Sequence, residues 1–110
     1  MRRLVRAAIR NATVTSSGGL SLRVDAIILR AANILPLEEV EIVNHATGQR
    51  ITTFVEPAAE GSNEVAVNMR AGDLVTIVSW GLLHDGQTLA HKATIVTLDL
   101  QNHMITLAES

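Results

Sequence analysis

Few side chains in this 110-residue sequence are of types that carry chemistry, and they are scattered along it. The four histidines, His45, His84, His91 and His103, show no metal-ligand spacing such as His-x-x-x-His. The chain has no cysteine, which excludes a thiolate metal site and a cysteine nucleophile. We therefore expect no metal site. Lys92 precedes a predicted strand, and we interpret it as a surface charge rather than a Schiff-base amine.

Two polar residues are better placed to line a pocket, and a third attracts attention by its position. Arg50 lies in the predicted strand 50–55, where a guanidinium at a barrel mouth can hold a carboxylate through two parallel hydrogen bonds. Periodicity alone slightly favours the alternative, an arginine that faces solvent. Asn68 ends an apolar strand and can line a pocket. Ser21 follows a pair of glycines, and on its own it is typical of an ordinary loop serine.

The composition predicts a single folded domain over residues 1–110. Apolar residues make up 47% of the chain and charged residues 18%, which excludes a disordered, highly charged protein. A net charge of −2 and 2% aromatic residues argue against a nucleic-acid-binding face. Arg6 and Arg10 interrupt the first apolar run, so we expect no signal peptide and interpret the early arginines as a surface patch. No run approaches the roughly 20 apolar residues of a membrane helix, so we expect a cytoplasmic protein without a membrane partner.

Short runs rich in Val, Ile and Thr predict a mainly β protein. Several of these runs alternate apolar and polar residues, as strands with one buried face do. The runs are 39–44, 50–55, 64–68, 74–80, 93–98 and 104–107. A turn at Ala46-Thr47-Gly48 predicts that the first two of them pair as a hairpin.

One segment predicts a helix. Residues 24–32 place apolar side chains three and four positions apart, Asp25 near the start suits the positive end of the helix dipole, and Pro36 ends the segment downstream. Strands at short, even intervals with one helix between them are typical of a small, closed or nearly closed β-barrel.

Groups of residues in order along the chain match the motifs of one known family. The matching groups are Asn11–Thr15 (R-A-x-V-T in the family), Asp25 with Leu29–Pro36 and Glu38–Val40 (D-x-x-x-x-x-A-A-x-I-L-x-x-E-x-V), Val43–Arg50 with Thr52–Phe54 (N-x-x-N-G-x-R-x-x-T-Y), Glu60–Ser62, Val67–Asn68, Gly72–Ile77, His91-Lys92 and Asn102. Each group is weak alone. Together they resemble the aspartate 1-decarboxylase family nearly end to end.

The resemblance implies a small double-psi β-barrel with one or two short helices, assembled as a homotetramer. Members of the family cleave themselves at a Gly-Ser bond, and the serine becomes a pyruvoyl group. That carbonyl takes L-aspartate as an imine and accepts electrons while CO2 leaves. The product is β-alanine for pantothenate synthesis.

The departures from the family pattern fall on its catalytic machinery. Counted back from Asp25, the pyruvoyl serine corresponds to Ser21, and Leu20 stands where the family has glycine. Because glycine adopts conformations that strain a residue with a Cβ, we expect leucine to hinder self-cleavage. Phe54 replaces the catalytic tyrosine and lacks the hydroxyl that donates a proton. The positions that the resemblance retains are Arg50 (substrate carboxylate), Thr53 (cleavage chemistry) and Asn68.

Other departures point the same way. The family's early lysine and histidine fall on Ala8 and Arg10, and its N-G-A-A segment is missing after Asn68. We therefore expect a repurposed barrel without a cofactor, which binds a small molecule with an acidic group and has lost self-cleavage and aspartate decarboxylation. Cyclisation or rearrangement of an intermediate in specialised metabolism is one reaction of this kind. The alternatives are an authentic aspartate 1-decarboxylase with its pyruvoyl group at Ser21, and a non-catalytic binding or structural subunit.

Overall fold

The chain folds into one strongly curled sheet. The structure is a computed structural model and describes residues 1–87 and 90–110. The strands are β1 (Arg2–Thr13), β2 (Ser16–Ser17), β3 (Leu22–Asp25), β4 (Glu39–Asn44), β5 (Arg50–Ala58), β6 (Val65–Val67), β7 (Leu74–Leu83), β8 (Thr94–Leu98) and β9 (Met104–Glu109). The helices are α1 (Ala26–Ala32) and a 3-10 helix (Asp85–Ala90). Within the described residues, neither helix has the length and apolar character that a bilayer span requires.

The sheet has the order β2-β6-β3-β5-β4-β7-β1-β8-β9. Three neighbouring pairs run parallel, β1 with β8, β2 with β6 and β3 with β5, so the chain repeatedly crosses over instead of forming a simple meander. Curling brings the apolar faces together around a core whose largest fully buried side chains include Ile9, Leu22, Ile42, Ile77 and Leu98. Burying each such side chain contributes about 1.5–3 kcal/mol. The predicted fold class is confirmed as a mainly β, barrel-like structure with short helices.

The predicted hairpin is present as β4 and β5. Val40 lies opposite Thr53 and Val43 opposite Arg50, in antiparallel register. Side chains of β4 alternate between buried and at least partly exposed, which is why the sequence pattern predicted this strand well. The run 64–68 is a shorter strand than predicted, because only Val65–Val67 pair with neighbouring strands.

The helix prediction is wrong at its start. Val24 and Asp25 belong to β3, where they pair in parallel with Pro57 and Ala58 of β5. The helix begins only at Ala26, because the Asp25 carboxylate accepts the Ile27 N–H at 2.8 Å and so caps the first turn. A buried β-branched valine suits either a strand or a helix, so the pattern alone could not place this boundary.

The early arginines lie in β1, and Arg2 and Arg6 have separate ion-pair partners. Arg2 pairs with Asp85 at 3.3 Å. Arg6 is half-buried and occupies an irregularity in the ladder between β1 and β7, because Val5 lies opposite Trp80 and Ala7 opposite Ser79. Such a bulge adds one residue to a strand and redirects the side chains beside it.

The loop at residues 61–63 is anchored by two buried polar side chains. Asp25 is only 2% exposed, and its carboxylate accepts the N–H groups of Gly61 at 3.2 Å and Asn63 at 2.9 Å besides capping α1. Asn102 is 1% exposed and donates to the Asn63 carbonyl at 3.0 Å. It also bonds the N–H of Thr13 at 2.7 Å and the carbonyl of Thr13 at 2.8 Å. These contacts tie β1, β3 and the loop before β6 together.

Candidate functional site

The peptide bond between Leu20 and Ser21 lies against two side chains of β5. The Thr53 hydroxyl donates to the Leu20 carbonyl oxygen at 2.6 Å. The Ser21 hydroxyl donates to the Glu56 carboxylate at 3.0 Å. Both contacts follow from the parallel pairing of β3 with β5, which begins just after Ser21. The carbonyl is therefore polarised by one hydroxyl, while the half-buried serine is held by a carboxylate.

Leucine at position 20 does not carry the backbone strain that the sequence comparison suggested. Its side chain is 88% exposed and meets no steric obstacle. In the described residues, the non-glycine residues with positive φ are Asn11, Asn33, Leu37, Asn63 and Asn102. Leu20 thus adopts a φ that suits any L-residue, and the replacement of glycine does not by itself bar the local conformation.

The other site residues named from the sequence lie apart from Ser21. Arg50 projects from the start of β5, and its guanidinium donates to the Glu41 carboxylate at 3.0 Å while remaining 65% exposed. Phe54 is exposed on the same strand, opposite Glu39 of β4. Asn68 is exposed in the bend after β6. The structure therefore joins Thr53 to the Leu20–Ser21 bond but brings neither Arg50 nor Asn68 into hydrogen-bond contact with Ser21.

A cavity of about 440 Å3 opens on the sheet formed by β1, β4, β5 and β7. Its walls include Arg3, Arg6, Glu38, Glu41, Thr52 and Trp80. This volume falls within the range of about 300–1,000 Å3 that is common for small-molecule sites. Ser21, Thr53 and Asn68 are not among its lining residues, and Arg50 reaches its wall only through the ion pair with Glu41.

One wall of the cavity is a closed hydrogen-bond network around Glu38. The bulge in β1 points the Arg6 guanidinium at the Glu38 carboxylate, and the same guanidinium donates to the Ser79 hydroxyl at 3.1 Å. Ser79 in turn donates to Glu38, and the Leu35 N–H donates to the other carboxylate oxygen at 3.1 Å. Arg6 also donates to the Asn33 carbonyl at 2.7 Å, which links β1 to the end of α1.

The network determines the ionisation of Glu38. Partial burial disfavours the carboxylate, but hydrogen bonds from Ser79, Leu35 and Arg6, together with the positive charge of Arg6, outweigh that effect and hold the pKa of Glu38 below its ordinary value of 4.5. Glu38 is therefore an anion at neutral pH, and its charge balances that of Arg6, so the pair as a whole carries no net charge.

We expect the Glu38 contribution to stability to be complete above pH 4.5 and to be lost as the pH falls through the lower pKa of the folded state. The unfolded chain takes up a proton at the ordinary pKa, whereas the folded chain resists it. Urea unfolding at several acidic pH values should show a steeper loss of stability for the wild type than for Glu38→Gln. Asp99, whose pKa is also lowered by the backbone N–H of His103, titrates in both proteins and cancels. Equal pH slopes would contradict the prediction.

Glu56, Arg6 and Trp80 were not identified from the sequence as site residues. The available signal for Glu56 was a carboxylate on the strand that also carries Thr53. No comparable signal existed for Arg6 and Trp80, because the bulge that brings Arg6 to the cavity is not visible in the sequence. Within the described ranges, no group of three or more His, Asp or Glu side chains could hold a metal ion.

Comparison with known proteins identifies the family of this chain. Its sequence matches the aspartate decarboxylase family over residues 1–105. It is 36% identical to the aspartate 1-decarboxylase of Listeria monocytogenes over 113 aligned positions, which cover 94% of this chain and 88% of that protein. The corresponding protein of Heliobacterium modesticaldum is 30% identical over 106 positions, covering 91% of this chain and 79% of the relative.

Among solved structures, the computationally designed protein msDPBB_sym2 aligns with a TM-score of 0.47 and 22% identity, over 71% of this chain and 99% of that one. The family assignment does not depend on this alignment, since the sequence match spans almost the entire chain. Together with relatives at 30–36% identity, the match over residues 1–105 shows that this chain belongs to the aspartate decarboxylase family.

Proposed function

We propose that this aspartate 1-decarboxylase-like barrel forms no pyruvoyl group, does not decarboxylate aspartate, and acts on another small molecule that carries an acidic group. The observation that supports this most directly is the Glu56 carboxylate at 3.0 Å from the Ser21 hydroxyl. L-Aspartate carries a net negative charge, and an anionic side chain at that point repels it. The residues around Ser21 therefore do not fit a pyruvoyl group that must receive aspartate.

A proton donor is also missing at the expected position. Phe54 has the aromatic ring of the family tyrosine without its hydroxyl, and 41% of its surface is exposed. The neighbouring hydroxyl, that of Thr53, is already donated to the Leu20 carbonyl. General acid catalysis needs a donor within hydrogen-bond reach of the reacting carbon or oxygen, and β5 presents none at this position.

The cavity on the sheet formed by β1, β4, β5 and β7 is the binding site that we propose for this activity. At about 440 Å3 it is roomy enough for a ligand larger than aspartate. A pocket of this kind can accelerate a cyclisation or rearrangement by holding a reactive substrate in a productive conformer, with few catalytic groups. Two arginines line the cavity, and a guanidinium is well suited to bind the carboxylate of an acidic ligand.

The proposal includes a cytoplasmic homo-oligomer, a homotetramer by analogy with the family. Strand β9 lies at one end of the sheet order, and every one of its residues is exposed. Met104, Ile105 and Leu107 present apolar side chains there, and an exposed edge strand of this kind favours pairing with another chain. Light scattering on the purified protein measures the assembly state directly.

The alternative is an authentic pyruvoyl-dependent aspartate 1-decarboxylase. The observation that favours it is the hydrogen bond from Thr53 to the Leu20 carbonyl, since a polarised carbonyl carbon is more open to attack by the adjacent serine hydroxyl. The ordinary φ of Leu20 also removes one objection to it.

The intact mass of freshly purified protein separates the two functions. We expect a single species of 11.8 kDa, unchanged after prolonged warm incubation and identical in behaviour to Ser21→Ala, which cannot cleave. We also expect no β-alanine from L-aspartate. Two fragments, residues 1–20 and 21–110, in the wild type but not in Ser21→Ala would overturn the proposal. Production of β-alanine by the wild type but not by Ser21→Ala would overturn it as well.

A further inference from the structure

We propose that Arg3, stacked on Trp80, is the anion-binding group of the cavity, and that the ligand is a monocarboxylic acid with a compact apolar body. This inference rests on the proposed function only in taking the cavity as a small-molecule site. It assigns the acid-binding role to a residue outside the expected set, since the resemblance to the family pointed to Arg50.

The charges around the cavity single out Arg3. Arg6 is neutralised by Glu38, and Arg50 by Glu41. The Arg3 guanidinium makes no hydrogen bond or ion pair with any residue that the structure describes, and its one specific contact is with the Trp80 ring. Its N–H donors are therefore available for a carboxylate, which a guanidinium binds through two parallel hydrogen bonds.

Strand register fixes the position of this guanidinium. In the ladder between β1 and β7, Arg3 lies opposite Leu82 and Val5 lies opposite Trp80, so Arg3 and Trp80 are diagonal neighbours. The Arg3 Cζ atom sits 4.3 Å from the centre of the indole ring. Stacking on an aromatic face orients the guanidinium while leaving its edge free for hydrogen bonds.

Because of the bulge at Arg6, two guanidinium groups line the cavity: that of Arg6, which is paired with Glu38, and that of Arg3, which has no ion pair with any described residue. Two residues separated by three positions in a regular strand point to opposite faces, but the extra residue in β1 brings Arg3 and Arg6 to the same cavity. Arg6 is committed to the wall that contains Glu38. Arg3 remains at the mouth, where it is exposed and can meet an incoming anion.

The remaining walls restrict the rest of the ligand. Leu82 and the Trp80 ring offer apolar surface to a hydrocarbon body. Glu39 also lines the cavity and forms no ion pair with any residue that the structure describes, so its carboxylate repels a second acid group. A ligand with one carboxylate and an apolar body satisfies both requirements, whereas a diacid such as aspartate does not.

The single tryptophan of the chain supplies a readout that needs no resonance assignment. Trp80 gives the one indole N–H signal of the protein, and its side chain lines the cavity, so we expect the chemical shift of this signal to respond when a ligand binds there. We expect cyclohexanecarboxylate to move this signal saturably at millimolar concentration. The uncharged cyclohexanecarboxamide and L-aspartate should bind at least about tenfold more weakly.

Substitutions at Arg3 test its role against a matched arginine on the same strand. Arg3→Gln should weaken cyclohexanecarboxylate binding about tenfold, Arg3→Lys should weaken it less, and the exposed Arg10→Gln should leave it unchanged. Equal binding of the acid and the amide, an unaffected Arg3→Gln, or no movement of the indole signal would each overturn the inference. The intact mass is measured separately, so cleavage at Ser21 with acid binding retained would reject the proposed function alone.

Discussion

Replacement of Asp25 by alanine is expected to lower the free energy of unfolding by about 3–5 kcal/mol. The carboxylate accepts three backbone N–H groups, from Ile27, Gly61 and Asn63, in a position that water hardly reaches. Alanine removes the cap of α1 and leaves these donors without partners. Because an unsatisfied buried donor costs more than an average hydrogen bond contributes, the effect should exceed that of losing an ordinary cap.

Urea unfolding followed by circular dichroism measures this effect. Asp25→Asn keeps one acceptor oxygen and should lose less stability than alanine. Asp99→Ala is the matched control, since Asp99 also accepts two backbone N–H groups, from Gln101 and His103, but in a more exposed turn. It should cost much less than Asp25→Ala, because water can replace the lost hydrogen bonds. An equal loss for Asp25→Ala and Asp99→Ala would show that burial of Asp25 is not the source of its contribution.

Asn102→Ala is expected to cost about 2–4 kcal/mol. The amide makes three hydrogen bonds, two with the Thr13 backbone and one with the Asn63 carbonyl, and all of them are lost. The backbone of Asn102 has a φ of 60°, a left-handed conformation that asparagine tolerates better than alanine does.

Asn11→Ala is the control that separates the loss of side-chain hydrogen bonds from the cost of the left-handed backbone conformation. Its φ of 61° matches that of Asn102, but its side chain is exposed. Asn11→Ala should therefore show only the backbone cost of about 1 kcal/mol, and the difference between the two variants measures the buried hydrogen bonds. If both variants lose the same stability by urea unfolding, the amide of Asn102 contributes nothing beyond its conformation.

The effects of Asp25→Ala and Asn102→Ala on stability should not be additive. Asp25 binds the N–H of Asn63 and Asn102 binds its carbonyl, so either change frees the same loop. Once one anchor is lost, the second has less ordered structure left to hold. The double variant should therefore lose measurably less stability than the sum of the single variants, and full additivity would mean that the loop is held elsewhere.

The parts of the fold that could be predicted from the sequence are those that local patterns determine. Alternation in β4 and the turn at 46–48 identified the hairpin, because one face of β4 is buried and the other is exposed. The start of α1 could not be predicted, since the parallel pairing of Val24 with Pro57 depends on a strand more than thirty residues away. The arginine-rich start of β1 was not recognised as a strand, because its bulge breaks the alternation that identifies one.

In the candidate site too, some residues could be identified from the sequence, whereas the roles of others depend on the tertiary structure. Ser21 and Thr53 could be identified through the resemblance to the family, and the structure joins them through the Leu20 carbonyl. Glu56 and the Arg3–Trp80 pair could not, because their roles depend on which strands lie side by side. The ion pair of Arg50 with Glu41 could not be predicted either, because it depends on the neighbouring strand, and the ligand contact expected of Arg50 stays a prediction.

The bulge at Arg6 also constrains the length of the chain ahead of it. Deleting or inserting one residue between Arg3 and Arg6 would leave backbone pairing with β7 feasible but turn the Arg3 side chain to the opposite face of the sheet. The guanidinium would then leave Trp80 even though no residue of the cavity had been substituted. The cavity therefore depends on the number of residues between these two arginines as well as on their identity. Insertions or deletions of a single residue should be tolerated far less in this short interval than in the turns.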